Sequence, residues 1–288
     1  VPTPESFGPY RVLEKVSQGA FSEIFKVEKE GRTYVLKKLL DYMKYDVQYR
    51  ELLENEQELL KLIGHHPRFP ALYDFGNHDD QLFLILEFIA GLNLKAAMER
   101  TIEIEHTVSP PLACHLLSEI CAGLEFLHDL SFDGKTKLVH GDLRASNVMV
   151  ASNVGVKLID LGLKVGTFDY MPLERHHHRI LGPYTDIYAA GHILYELLHQ
   201  KHLFQGKTKL EAYFEMREIE ISESTFRESL PAAVKKILVK ALRQDPDTRY
   251  TSARAFREDL EAYLRQAAAP SQDTDIGVWT RTLLQNRP

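Results

Sequence analysis

Asp142, Asn147 and Asp160 fall in VHGDLRASNVMV and VKLIDLG, five and then thirteen residues apart, with β-like sequence between the last two. Side-chain oxygens of this kind are what hard divalent cations select, and a carboxylate can also take a proton from a hydroxyl. Upstream, Lys37 in YVLKKL is placed to reach phosphate oxygens from a strand, and Glu56 in NEQELL could hold it from a helix. A turn containing Gly19 precedes them in VSQGAFSEIFKV, flanked by Ser17 and Ser22. Taken singly, an Asp or Asn can serve a turn or a helix cap, and a Lys or Glu can simply face water.

Two kinds of sequence must position these groups. From Tyr10 to Phe88 short β-rich stretches dominate (YRVLEKV, EIFKVEKEG, RTYVLKKLL, ALYDFG, QLFLILEF), interrupted by one segment, about 46–62, with helical periodicity. Leu52, Leu53, Asn55, Glu56, Leu59 and Leu60 recur there at near-helical spacings, with charges on the remaining face. After Gly91 long amphipathic helices take over, among them PPLACHLLSEICAGLEFLHDL, YTDIYAAGHILYELLHQ and PAAVKKILVKALRQ. KLVHGDLRASNVMV and VGVKLIDLG read as β-like runs between the first two. The expected architecture is α+β, with two unlike lobes: 1–90 β-rich, 91–265 mainly helical, and a partly helical tail, 266–288.

Composition narrows the setting. With 44% hydrophobic and 26% charged residues over 288 positions the chain matches an ordinary globular protein. A formal charge of -6 gives no general attraction to nucleic acid or anionic lipid. Cys114 and Cys121 sit seven apart, about 10 Å on one helix, beyond the reach of a disulfide. No apolar run has membrane-spanning length. A reducing, cytoplasmic setting is expected, as the cytosolic domain of a longer protein.

The motif pair HGDLRASN and DLG resembles the H-R-D-x-x-x-x-N catalytic loop and D-F-G turn of the protein kinase family. The resemblance runs in order over residues 10 to 265 and implies the two-lobed kinase fold, with ATP, Mg²⁺ and a protein substrate. It implies that Asp142 orients the acceptor hydroxyl and takes its proton, that Asn147 and Asp160 hold metal, and that Lys37 with Glu56 handles the phosphates. Arg144 stands where serine/threonine kinases carry lysine, near the γ-phosphate; some tyrosine kinases have arginine there. Ser17, Gly19 and Ser22 would form the phosphate loop. Ile24, Val35 and Met149 would sandwich adenine, and Leu86, Glu87 and Ile89 would line the hinge. Asp186 matches the aspartate opening a buried helix, and Arg249 matches the partner of Glu174. His140 would have a structural role.

Departures from the family pattern keep two other readings in play. Gly141 replaces arginine, and H-G-D is also the wording of small-molecule phosphotransferases of related fold. Against this, GTFDYMPLE resembles the peptide-cradling segment of protein kinases through Thr167 and Glu174. Ser17, Ser22, Gly141 and Leu161 would also suit an ATP-binding scaffold without activity. The run His176, His177, His178 reads as a solvated loop. In the tail, Ile276, Trp279 and Leu283 recur at helical spacing and could dock on the large lobe or on a partner. Gly141 offers no side chain to a phosphate on the short 160–174 segment, so activity without phosphorylation there is expected.

Overall fold

The computed structural model describes residues 6–162, 182–204, 208–267 and 274–285. The segment carrying Thr167, Glu174 and the three consecutive histidines lies outside them. The chain divides into two compact units, the first closing at Ala90 and the second opening at Gly91, with Leu161 grouped with the first.

The first unit is an antiparallel sheet of order β1-β2-β3-β4-β6-β5. Its strands are β1 (Ser6–Phe7), β2 (Tyr10–Gln18), β3 (Ser22–Lys29), β4 (Arg32–Leu39), β5 (Leu72–His78) and β6 (Gln81–Glu87). Glu30 and Gly31, both at positive φ, turn β3 into β4, the backbone pattern that suits the twist of a two-residue hairpin. One sheet face closes over Tyr10, Phe25, Val27, Leu36 and Ile85. Because side chains alternate along β4, Lys37 is directed to the face opposite Leu36.

Helix α1 (Val47–Ile63) packs on β4, β5 and β6. Asp46 caps its start by accepting from the Gln48 and Tyr49 amides, and Gly64, at φ 62°, ends it. Leu52, Leu53, Leu59, Leu60 and Ile63 form its buried face, with Glu56 among them, while Asn55, one position out of that stripe, is exposed.

The second unit is built round α3 (Pro110–Asp129), which Ser109 caps and two prolines open. It packs against α4 (Pro183–His199) and α7 (Ala253–Ala267). Residues 185–198 of α4 are all buried, Asp186, His192 and Glu196 among them, so this helix is enclosed on every side rather than amphipathic as expected. Gly191 lets it approach α6 (Ala232–Ala241), since a Cβ there would lie 2.9 Å from Ala241 Cβ. A small sheet of order β7-β8-β9 comprises β7 (Leu92–Asn93), β8 (Val148–Ala151) and β9 (Gly155–Leu158). Two further helices are α2 (Leu94–Glu103), capped by Asn93, and α5 (Lys209–Glu218), capped by Thr208.

One expected strand is largely absent. Of KLVHGDLRASNVMV only Val148 onward is strand; residues 145–147 form a 3-10 turn. The reason is local: Gly141 adopts φ 78°, and the His140 and Gly141 amides bond a side chain rather than a neighbouring strand.

The tail forms α8 (Ile276–Gln285), packed against α2, α3 and β8 within the second unit. Asp275 caps it, accepting from Val278 N at 2.9 Å, and Ile276, Trp279, Thr280 and Leu283 are buried. Leu283→Ala, at a site 1% exposed, is expected to cost about 2–4 kcal/mol. Chemical denaturation with unchanged m-value checks it.

Candidate active site

Lys37 and Glu56 meet in the first unit. Lys37 Nζ lies 2.6 Å from Glu56 Oε2, with each side chain only 2% exposed. A carboxylate in the middle of a helix's apolar face is costly unless a cation reaches it, and β4 supplies that cation. Strand register puts Ile24, Val35, Lys37 and Leu86 on one face of the sheet: Ile24 pairs with Lys37, and Val35 with Leu86. Glu87 binds Ala71 twice, through its own amide (2.9 Å) and through Oε2, which accepts from Ala71 N (3.1 Å). Ile89 is buried.

The Gly19 turn is closed by Gly19 N donating to Ser22 O at 2.8 Å, with Ser17 paired to Ile24 across the hairpin. Ser17 and Gly19 are exposed and Ser22 is buried. A Cβ at Gly19 would meet nothing nearer than 3.6 Å, so the turn itself does not demand glycine. Gly162 is a different case: it sits at φ 72° and a Cβ would fall 2.4 Å from Leu59 Cδ1.

In the second unit the turn at 145–147 folds Asn147 back on Asp142. Asn147 Nδ2 donates to Asp142 O (2.8 Å) and to Asp142 Oδ2 (3.1 Å). Arg144 Nε lies 3.4 Å from the same Oδ2. Ile159 N donates to Asn147 O at 2.9 Å, tying the residue before Asp160 to the Asn147 turn. Asp160 itself adopts φ 58°, a left-handed conformation that aspartate tolerates better than most residues. Met149, on β8, is half-buried and paired with Asn93 and Lys157.

Beneath this loop lies a second layer of polar contacts. Asp186 accepts from His140 N (2.8 Å), from Gly141 N (3.1 Å) and from His128 Nε2 (2.8 Å). Burial raises the pKa of this carboxyl, but the His128 contact and the His140 amide outweigh it and hold Asp186 below its ordinary value. An ionised carboxylate only accepts, so His128 Nε2 carries the hydrogen. Burial pushes the His140 imidazole pKa down, and its Nδ1 accepts from Asp142 N at 3.4 Å. His140 is therefore neutral and supports the loop. Arg249, buried on Tyr188 with its guanidinium 4.6 Å from the ring centroid, donates to the carbonyls of Tyr184 and Gln244.

Sequence reasoning named Asp186 but missed His128. The clue available was a histidine in the last turn of a long apolar helix, where a polar side chain must find a partner. Among the described residues, no three His, Cys, Asp or Glu side chains cluster as a metal site, and no helix is long and apolar enough to cross a membrane.

Comparison with known proteins matches the protein kinase domain family over residues 10–260. The curated relatives include tyrosine-protein kinase MasK of Myxococcus xanthus, 25% identical over 98% of this chain and 47% of its own length. Serine/threonine-protein kinase PrkC of Bacillus subtilis is 24% identical over 90% of this chain and 40% of its own. PknE of Mycobacterium bovis, a serine/threonine-protein kinase, is 25% identical over 98% and 50%. The chain thus spans about half or less of these relatives. The solved kinase domain of Mycobacterium tuberculosis PknI superposes with TM-score 0.70 at 21% identity, covering 89% of this chain and 96% of that one.

Proposed function

Because this chain belongs to the protein kinase domain family, we propose that it transfers the γ-phosphate of ATP to a serine or threonine hydroxyl of a protein substrate. The observation that carries this reading is the setting of Asp142, whose carboxylate is held by Asn147 Nδ2 at 3.1 Å with Arg144 beside it. In the proposed step the acceptor oxygen attacks the γ-phosphorus and its proton passes to Asp142. The bond to the bridging oxygen breaks, and ADP leaves with that electron pair. Arg144 offsets charge on the transferring group, and Lys37, held by Glu56, binds the other phosphates. Ser17, Gly19 and Ser22 would form the phosphate loop, with the Gly19 amide itself spent on Ser22 O; Ile24, Val35 and Met149 would sandwich the base, and Leu86, Glu87 and Ile89 would line the hinge that reads its edge.

Asn147 and Asp160 fit a magnesium ion. The Asn147 amide nitrogen is committed to Asp142, which leaves its Oδ1 as an acceptor, and an amide oxygen with a carboxylate is a donor set that hard cations prefer. When bound, Mg²⁺ would screen phosphate charge. The catalytic module would comprise lobes 1–90 and 91–265, with 266–288 as a partly helical C-terminal tail, in a cytosolic part of a larger protein. With no side chain at Gly141 to hold a phosphate, activity would not depend on phosphorylation of the 160–174 segment.

A second acceptor, tyrosine, is favoured by Arg144 together with the likeness to MasK, a protein named as a tyrosine kinase. Incubation with Mg-ATP and a mixed protein substrate, followed by mass spectrometry, separates the acceptors. Transfer to serine or threonine, undiminished after phosphatase treatment, is the expected result; transfer to small molecules alone, or none at all, overturns the reading. Lys37→Met is expected to lose transfer by roughly 10²-fold or more and to lower the melting temperature, because Glu56 keeps a buried charge without its cation. Lys37→Met with Glu56→Gln should restore melting but not transfer.

A further inference from the structure

The second unit contains a cavity of about 260 Å³ lined by side chains from α2, the Asp142–Asn147 loop and the end of α4. Four of its lining residues can carry positive charge: Lys95, Arg144, Lys201 and His202. That is a local inversion of sign, because the chain as a whole carries a formal charge of -6. Two carboxylates also line it, one largely buried and one exposed beside a lysine. Glu196 has a side chain only 5% exposed and accepts from His202 Nδ1. Glu99 pairs with Lys95 at 3.8 Å across one helical turn, an exposed pairing that a stronger anion can displace. Lys201 and His202 are exposed. Arg144 Nε is buried and makes no hydrogen bond among the described residues, although it stands 3.4 Å from Asp142 Oδ2. Met98 and the half-exposed Ile102 give the cavity an apolar wall.

We propose that this cavity is a substrate subsite for an anionic side chain, carboxylate or phosphate, within a few residues of the acceptor hydroxyl. The proposal rests on the kinase reading for the word substrate, and on the charge and shape of the cavity for the rest. Arg144 links the two, since it lines the cavity and adjoins Asp142. Each residue of an extended peptide spans about 3.3 Å, so an anion here would lie close in sequence to the hydroxyl facing Asp142. A basic side chain is disfavoured, because it would have to displace His202 from Glu196 and sit among the remaining cations.

The test uses labelled peptides that share one acceptor and differ at its flanking residues, carrying glutamate, phosphoserine, alanine or lysine. Binding to the full chain is read by fluorescence anisotropy without ATP, and transfer is measured separately. Glutamate or phosphoserine peptides are expected to bind roughly tenfold tighter than the alanine peptide at low salt, with the gap closing at high salt. In the Lys95→Glu, Lys201→Glu double variant the gap should vanish, with alanine-peptide binding and transfer unchanged. Whichever of glutamate and phosphoserine shows the larger gap identifies the anion. Tighter binding of the lysine peptide, or an anionic preference that survives in the double variant, overturns the subsite. Anion-selective binding without any transfer would keep the subsite and remove the kinase reading; transfer without selectivity would do the reverse.

Discussion

Asp142→Asn is expected to lower phosphate transfer by roughly 10²–10⁴-fold, the usual contribution of a positioned general base. The amide cannot take the hydroxyl proton, yet it is almost isosteric with the carboxylate. Its oxygen can still accept from Asn147 Nδ2, and the bond from Asn147 to Asp142 O, 2.8 Å, does not involve the Asp142 side chain at all. Neutralising the carboxylate also removes its attraction to Arg144, whose buried Nε lies 3.4 Å away without a hydrogen bond to it; the rest of that side chain is 38% exposed and keeps its charge in contact with water, so the loss is modest. Melting should therefore shift by no more than a few degrees. The measurement is steady-state transfer of labelled phosphate, wild type and variant side by side, with thermal melting as control. Transfer within a few-fold of wild type would remove Asp142 from its role, and with it the proposed mechanism.

Asp186→Asn should act in the opposite way, through stability. The three hydrogen bonds described at this carboxylate all come from donors, two on one oxygen and one on the other. An amide offers one accepting oxygen, so its NH₂ must face at least one N–H in a site that is 1% exposed. Leaving buried donors unsatisfied and removing a buried charge next to them costs about 3–5 kcal/mol. The pH dependence gives a second readout. The folded pKa of Asp186 lies below the ordinary value of 3.8, so its ionised form adds stability above that value and loses it as pH falls through the lower folded one. The gap between wild type and variant should be widest near neutral pH and narrow below about 4. Denaturant titrations at several pH values would show it. A uniform gap down to acid pH would mean that the loss comes from packing alone.

Both predictions bear on how the loop at 140–147 is built. The Gly141 φ of 78° and the two amides spent on Asp186 turn what reads as strand into a loop, and that loop aims Asp142 and Asn147 at each other. A β-like string of residues was misleading here because its amides are satisfied by a side chain on a distant helix rather than by a neighbouring strand.

What the sequence determined by itself is what depends on short spacing. Glu56 stands three or four residues from Leu52, Leu53, Leu59 and Leu60, so helical period alone places it on a buried face and demands a cation. Alternation along β4 separates Lys37 from Leu36, and the five-residue offset brings Asn147 back to Asp142 through a single turn. The tertiary structure decided what depends on the path of the chain. His128 finds Asp186 58 positions away, and α8 settles on α2, α3 and β8 rather than waiting for a partner. Charges from α2, the Asp142–Asn147 loop and the end of α4 gather round one cavity and reverse the sign of the chain's net charge there. Local period fixes which face a side chain takes, but only packing sets which distant face it meets, because burial rewards any apolar surface alike and polar partners then select among the arrangements that remain.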